Sequence, residues 1–156
     1  MPMIYSLSPA TAGNTTTNGT PGTENDTFFV KAGARNAALQ AMYAIGKGAG
    51  LTAISGIVHR LIKWATASTG GTGITPTPKD PGMQVAKQTA ASAPTPGSTR
   101  TNQVVFGHGA AGPGGWVAQN PDSLILLEGS SAGSIDAMNA SGTASLNFEW
   151  SAETVE

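Results

Sequence analysis

The chain has no cysteine, which removes disulfides, thiolate nucleophiles and sulfur metal sites together. Charge is also scarce. Asp, Glu, Lys and Arg supply 11% of the 156 residues, well under the roughly 25% of an average soluble protein. The eight basic residues are scattered, and no two are adjacent. Nucleic-acid binding draws on clustered Lys and Arg that displace counterions from phosphates, so neither a nucleic acid nor an anionic membrane is expected as a partner. No apolar run approaches the ~20 residues that span a bilayer. The opening Met1-Pro2-Met3-Ile4-Tyr5-Ser6 has no basic stretch and no apolar run of signal-peptide length. The expectation is a soluble protein made in the cytoplasm.

What fills the space left by charge is small. The chain carries 21 Gly and 10 Pro beside abundant Ala, Ser and Thr, while hydrophobic residues still reach 39%. Disordered chains combine few apolar residues with much charge, which is not this pattern. A polar but nearly uncharged surface suits a protein packed closely against copies of itself or a larger partner. Length and the absence of a dividing linker predict one domain over residues 1–156.

Short strands are predicted throughout. Residues 3–8 alternate, with Met3, Tyr5 and Leu7 on one side. Residues 9–27 are dominated by Thr, Asn, Gly and Pro and read as an extended polar loop or arm. Order resumes at Thr27-Phe28-Phe29-Val30-Lys31. Over 36–46 a strand with the face Leu39, Ala41, Tyr43 and Ile45 competes with a helix capped by Asn36; strand-like neighbours favour the strand. Ile57 to Trp64 reads as a strand apolar on both faces. Residues 68–82 form a Gly/Pro/Thr loop. Over 80–90, Asp80-Pro81 suggests a helix start, with a poor edge strand as the competitor. After a Pro/Ser/Thr stretch at 92–101, strands are expected at Val104 and Phe106, at Trp116-Val117-Ala118 and at Leu124–Leu127. A Gly-rich turn over Gly107–Gly115 and the turn Asn120-Pro121-Asp122-Ser123 separate them. The clearest signal is the last: Ala144, Leu146, Phe148 and Trp150 alternate with Ser145, Asn147, Glu149 and Ser151. About eight strands separated by turns make an all-β, antiparallel sandwich or barrel.

Three matches to chemical motifs lack the context each requires. Gly129-Ser130-Ser131-Ala132-Gly133 fits G-x-S-x-G, but no helix follows Ser131, and both His59 and His108 precede it. Gly107-His108-Gly109-Ala110-Ala111-Gly112 fits G-x-G-x-x-G, but Pro113-Gly114-Gly115 prevents the helix that would receive a pyrophosphate. Two histidines 49 positions apart match no zinc spacing, and Glu24-Asn25-Asp26 lacks the later bidentate Glu of a calcium loop. No catalytic, cofactor-binding or metal residue is therefore assigned, and the chain is expected not to be an enzyme. Among Trp64, Trp116 and Trp150, Trp116 is the least constrained and the candidate for an exposed anchor, whereas Trp150 falls in phase with the core.

The stretches Phe28-Phe29-Val30-Lys31-Ala32-Gly33-Ala34, Arg60 to Thr72 and Thr75-Pro76-Thr77-Pro78-Lys79-Asp80-Pro81, with the closing Gly142 to Trp150, resemble in their order small tailed-bacteriophage virion proteins of the capsid decoration (cement) type. The resemblance implies a β-sandwich of jelly-roll type with long polar loops and an N-terminal arm. It implies a non-enzymatic role on the virion, binding the outside of the capsid and bridging subunits of the major capsid protein. A homo-oligomer, a trimer by preference, goes with it, and no cofactor. The alternative is a tail- or fibre-associated β-sandwich module that binds host surface glycans through exposed tryptophan.

Overall fold

The computed structural model describes residues 2–8, 15–16, 25–46, 56–109, 112–141 and 147–156. Among these the chain is strand and turn, with one helical turn, a 3-10 turn at Pro121–Ser123. In chain order the strands are β1 (Ile4–Leu7), β2 (Thr15–Thr16), β3 (Asn25–Lys31), β4 (Ala37–Gly46), β5 (Gly56–Thr66), β6 (Thr72–Ile74) and β7 (Thr77–Pro78). There follow β8 (Thr89–Ser92), β9 (Ser98–Gly109), β10 (Pro113–Val117), β11 (Ile125–Leu127), β12 (Ser134–Ser141) and β13 (Asn147–Val155).

Two antiparallel sheets form. One has the order β10-β4-β13-β1-β7, with β11 continuing the β4 edge and β2 on β13; the other runs β6-β8-β3-β12-β5-β9. Take β1, β3, β4, β5, β9, β10, β12 and β13 as first to eighth. The first sheet then reads first, eighth, third, sixth, and the second reads second, seventh, fourth, fifth. That interleaving is the jelly roll, two Greek keys wound together. The fold is an all-β sandwich, as the strand spacing and the resemblance imply.

Alternation along each strand fills the space between the sheets. Tyr5 and Leu7 of β1, Phe28 and Val30 of β3, Leu61 of β5, Ile135 and Ala137 of β12, and Phe148 and Trp150 of β13 are buried. Phe28 stacks on Trp150 across the sandwich at 4.5 Å between ring centres. Burying each such side chain contributes about 1.5–3 kcal/mol. The predicted alternation of the last strand holds for Phe148 and Trp150; Ala144 and Leu146 lie outside the described residues.

Over 36–46 the chain is strand, but not with the expected face. The β4–β13 register shifts between Glu153 and Thr154, so that Glu153 faces Ala41 and Thr154 faces Leu39. The extra residue, Gln40, bulges and reverses the alternation. Leu39, Met42 and Ala44 therefore join the core, while Tyr43 and Ile45 point to solvent.

The helix considered over 80–90 is absent. Asp80 instead closes a turn: its side chain accepts from Gly82 N at 2.9 Å and its carbonyl from Met83 N at 3.0 Å. A residue that can cap a helix serves an Asx turn equally well, and Gly82 favours the turn. Beyond it the backbone is held from outside. Glu156 Oε1 accepts from Lys87 N and Gln88 N at 2.8 and 2.5 Å, and the Gln84 carbonyl accepts from the Tyr5 hydroxyl at 2.9 Å. Strand begins only at Thr89.

The polar loops are shorter than expected. Within 68–82 lie β6 and β7, and β9 starts at Ser98, inside the Pro/Ser/Thr stretch. The expected turn over Gly107–Gly115 is strand as far as Gly109 and again from Pro113. Most of 9–27 lies outside the described residues, but Thr15–Thr16 pairs with β13 and β3 starts at Asn25, two residues earlier than expected.

Candidate interaction surface

The bulge at Gln40 decides what the outer face of the first sheet presents. Pro113 pairs with Ile45, Gly115 with Tyr43 and Val117 with Ala41 on one side of β4. On the other side Glu149 pairs with Ile45, Ser151 with Tyr43 and Glu153 with Ala41. Leu126 of β11 stands opposite Ala38. Tyr43, Ile45, Val117 and Leu126 are each close to half exposed, although all four are large and apolar. Their neighbours are small. A Cβ on Gly115 would sit 3.1 Å from Tyr43 Cδ1, so the ring packs close against that glycine. The result is a low, weakly charged apolar face, bordered by Glu149 and by Glu153, which is paired with Lys79. Exposed apolar surface, where it is large and contiguous, marks contact with another molecule.

The interior holds both histidines. His59 on β5 and His108 on β9 are buried, with their Nε2 atoms 3.1 Å apart. His108 Nδ1 lies 2.8 Å from the Gly109 carbonyl, which can only accept, so that nitrogen carries the proton. With both rings neutral, His108 Nε2 accepts from the proton on His59 Nε2. His59 Nδ1 is then bare, and it has no hydrogen-bond partner. Phe106 stacks on the His59 ring at 4.9 Å, and Phe148 meets its face edge-on at 4.8 Å. Burial, with a smaller contribution from His108, pushes the His59 pKa down to about 3. This is a neutral imidazole pair enclosed by aromatic rings.

The serine motif is a turn. Ser131 lies between β11 and β12, where its hydroxyl accepts from Gly133 N at 3.1 Å. Ser130 beside it adopts φ +62° and donates its backbone N–H to the Gly33 carbonyl at 2.6 Å. The histidines pair with each other, on other strands, rather than with this serine. In the glycine motif, Gly107–Gly109 ends β9, and the next described element, β10 from Pro113, is a strand rather than a helix. Asn25 and Asp26 belong to β3, and Glu24 lies outside the described residues. Among the described residues no three His, Cys, Asp or Glu side chains gather to hold a metal.

Trp116 is partly buried and packs on the main core. Trp150 is buried in that core, and Trp64 is buried with Ile62 and Met138 in a second cluster. None of the three stands out from the surface as a stacking platform.

No protein-family model matches the chain, and no curated protein does. Among solved structures, the chain is similar to one from the crystal structure of the T13 IBDV viral particle, with a TM-score of 0.38 and 11% identity. That similarity covers 99% of this chain and 31% of the other, so the present chain spans about a third of its length.

One polar cluster carries no local motif. Asp136 on β12 is fully buried on the outward side of the second sheet, where it accepts from the hydroxyls of Ser68 and Ser134. Ser68 N donates to Ser134 Oγ at 3.1 Å, and Gly97 N donates to Ser68 Oγ at 2.8 Å. The cluster pins the 67–69 and 94–97 segments over the Trp64 ring; a Cβ on Gly97 would stand 2.9 Å from Trp64 Cγ. Its members lie 66 and 68 positions apart, and only the strand register brings them together.

Proposed function

We propose that the chain is a non-enzymatic virion structural protein that binds the outside of a phage capsid and stabilises it by bridging major capsid subunits. The observation that carries this reading is the exposed apolar face of Tyr43, Ile45, Val117 and Leu126 on the wall of a jelly roll. Jelly rolls recur in capsid and lectin domains, so the fold alone separates nothing. The face lies on the open side of a sheet and carries charge only at Glu149 and the Lys79-paired Glu153, which suits apposition to a large surface better than the enclosure of a small ligand. Weak contacts of this size gain strength when many copies act together on one shell. The interior supports a non-catalytic reading, since the two histidines bond to each other and His108 to the Gly109 carbonyl, rather than to a serine or a carboxylate.

The test uses shells assembled without the protein. Purified chain added back is expected to co-sediment at a fixed stoichiometry and to raise the temperature at which the shells open. Shells that neither bind the chain nor gain stability would end this reading.

A further inference from the structure

We infer that the outer edge of β9 is a pairing edge for a second copy of this chain, joined antiparallel about a two-fold axis at Val105. This goes beyond the capsid reading and does not rest on it.

The strand order leaves β9 at the end of its sheet. Ten of its twelve residues pair with β5 on one side, over a ladder running from Gly56↔Gly109 to Thr66↔Ser98. Among the described residues no strand pairs with the other side. A long row of unpaired backbone donors and acceptors is a template for another strand. Natural edges are blunted by lysine, proline, inward charge or a bulge. In β9 such devices lie toward one end: Arg100, Thr99 at φ +56°, and the bulge at Gln103 where the register shifts between Leu61 and Ile62. From Val104 to Gly109 there is neither a charge nor a proline. In their place is Val105, 55% exposed.

The side chains fit a second copy of the same strand. With the axis at Val105, the two valines face each other and bury what each exposes alone. Gln103, the bulged residue, stands at the margin of the match, opposite Gly107 of the other copy. Val104 falls opposite Phe106; both are partly buried and pack on their own core, so pairing extends an apolar layer across the axis. Arg100 is the one charged residue of the strand, and it lies five positions from the axis. At ~3.3 Å per residue the two arginines stay about 30 Å apart, so no like charges oppose each other. Moving the axis two residues sets Gly107 against itself and Val105 against Gly109 in one direction, or Gln103 against itself and Val105 against Thr101 in the other, and loses the valine match.

The absence of cysteine makes the test clean. Val105→Cys, mildly oxidised, is expected to give a cross-linked dimer on a non-reducing gel. Val85→Cys, at an 80% exposed site outside β9, is expected to stay monomeric. The unmodified protein, free of any shell, is expected to sediment as a dimer in a concentration-dependent way. Val105→Lys, which sets two ammonium groups against each other, is expected to sediment as a monomer with an unchanged far-ultraviolet circular dichroism spectrum. A monomer or a trimer across the concentration series overturns the inference. So does equal cross-linking at positions 85 and 105, or a lysine variant that remains dimeric. Because no shell is present, failure here leaves the capsid reading untouched, and failure to bind shells leaves the dimer untouched.

Discussion

His59 donates its Nε2 proton to His108 Nε2, 3.1 Å away, inside a sandwich that gives His59 Nδ1 no partner. The pair is stable as a neutral unit. A second proton would place a charge among Phe106, Phe148 and the sheet backbone, which is why the folded His59 pKa is pushed down to about 3.

Stability is therefore expected to depend on acid. The unfolded chain takes up the His59 proton near pH 6.5, while the folded chain refuses it until about pH 3. Between those values the unfolded state binds more protons, so stability falls as pH falls. The His59 contribution is complete above about pH 6.5 and declines by about 1.4 kcal/mol per unit below it. Chemical denaturation at pH 7.5 and pH 5 is expected to differ by about 2 kcal/mol from this residue. His59→Phe is expected to flatten the slope; an identical slope in the variant would refute the assignment.

The outer face and the core are expected to respond in opposite ways. Tyr43→Ser with Ile45→Ser removes exposed apolar surface, and is expected to abolish shell binding while leaving the melting temperature within a few degrees of the parent. Phe28→Ala removes one ring of the Phe28–Trp150 stack. It is expected to lower stability by about 3–5 kcal/mol as measured by urea unfolding.

Asp136 is expected to matter for stability alone. Asp136→Ala strands the Ser68 and Ser134 hydroxyls in a buried place and is expected to cost about 3 kcal/mol. The damage is local to the 67–69 and 94–97 segments, so hydrogen exchange there is expected to rise first. Unchanged exchange at Ser68 and Gly97 would contradict the pinning role.

Two glycines separate close approach from free space. A Cβ on Gly33 would stand 2.0 Å from the Lys87 carbonyl oxygen, whereas at Gly73 it would meet nothing within 4 Å. Gly33→Ala is expected to destabilise by about 1–3 kcal/mol. Gly73→Ala is expected to stabilise by about 0.4–1 kcal/mol, through lower entropy of the unfolded chain. Thermal melts of the two variants should move in opposite directions.

How much of this was legible in the residues follows from what each signal depends on. Tyr5 with Leu7, and Phe148 with Trp150, announce their strands because large apolar residues alternate against polar ones, and burial follows that alternation. The run Leu39, Ala41, Tyr43, Ile45 carries the same alternation and misleads. Gln40 bulges only because β13 pairs with β4 in a shifted register, which no local pattern reports. Thr72–Ile74 passes for loop because this short edge strand of Thr, Gly and Ile holds a single large apolar side chain. The histidine pair and the Asp136 cluster were beyond reach for one shared reason. Each joins strands that meet by topology, so its members carry no common spacing. The exposed face has the same origin, since it exists only once the bulge has turned Tyr43 and Ile45 outward.

The place of β13 has a kinetic consequence. It lies between β4 and β1 in the middle of its sheet, with Val155 against Ile4. β13 is the last of the described strands in chain order and β1 the first, so β1 gains its main neighbour only through a pairing that spans nearly the whole sequence. Pairings so distant along the chain make for slow closure, in the millisecond-to-second range of β-sandwiches. Refolding should show β1 and β13 gaining protection together, late, after the β5–β9 and β12–β5 ladders have formed.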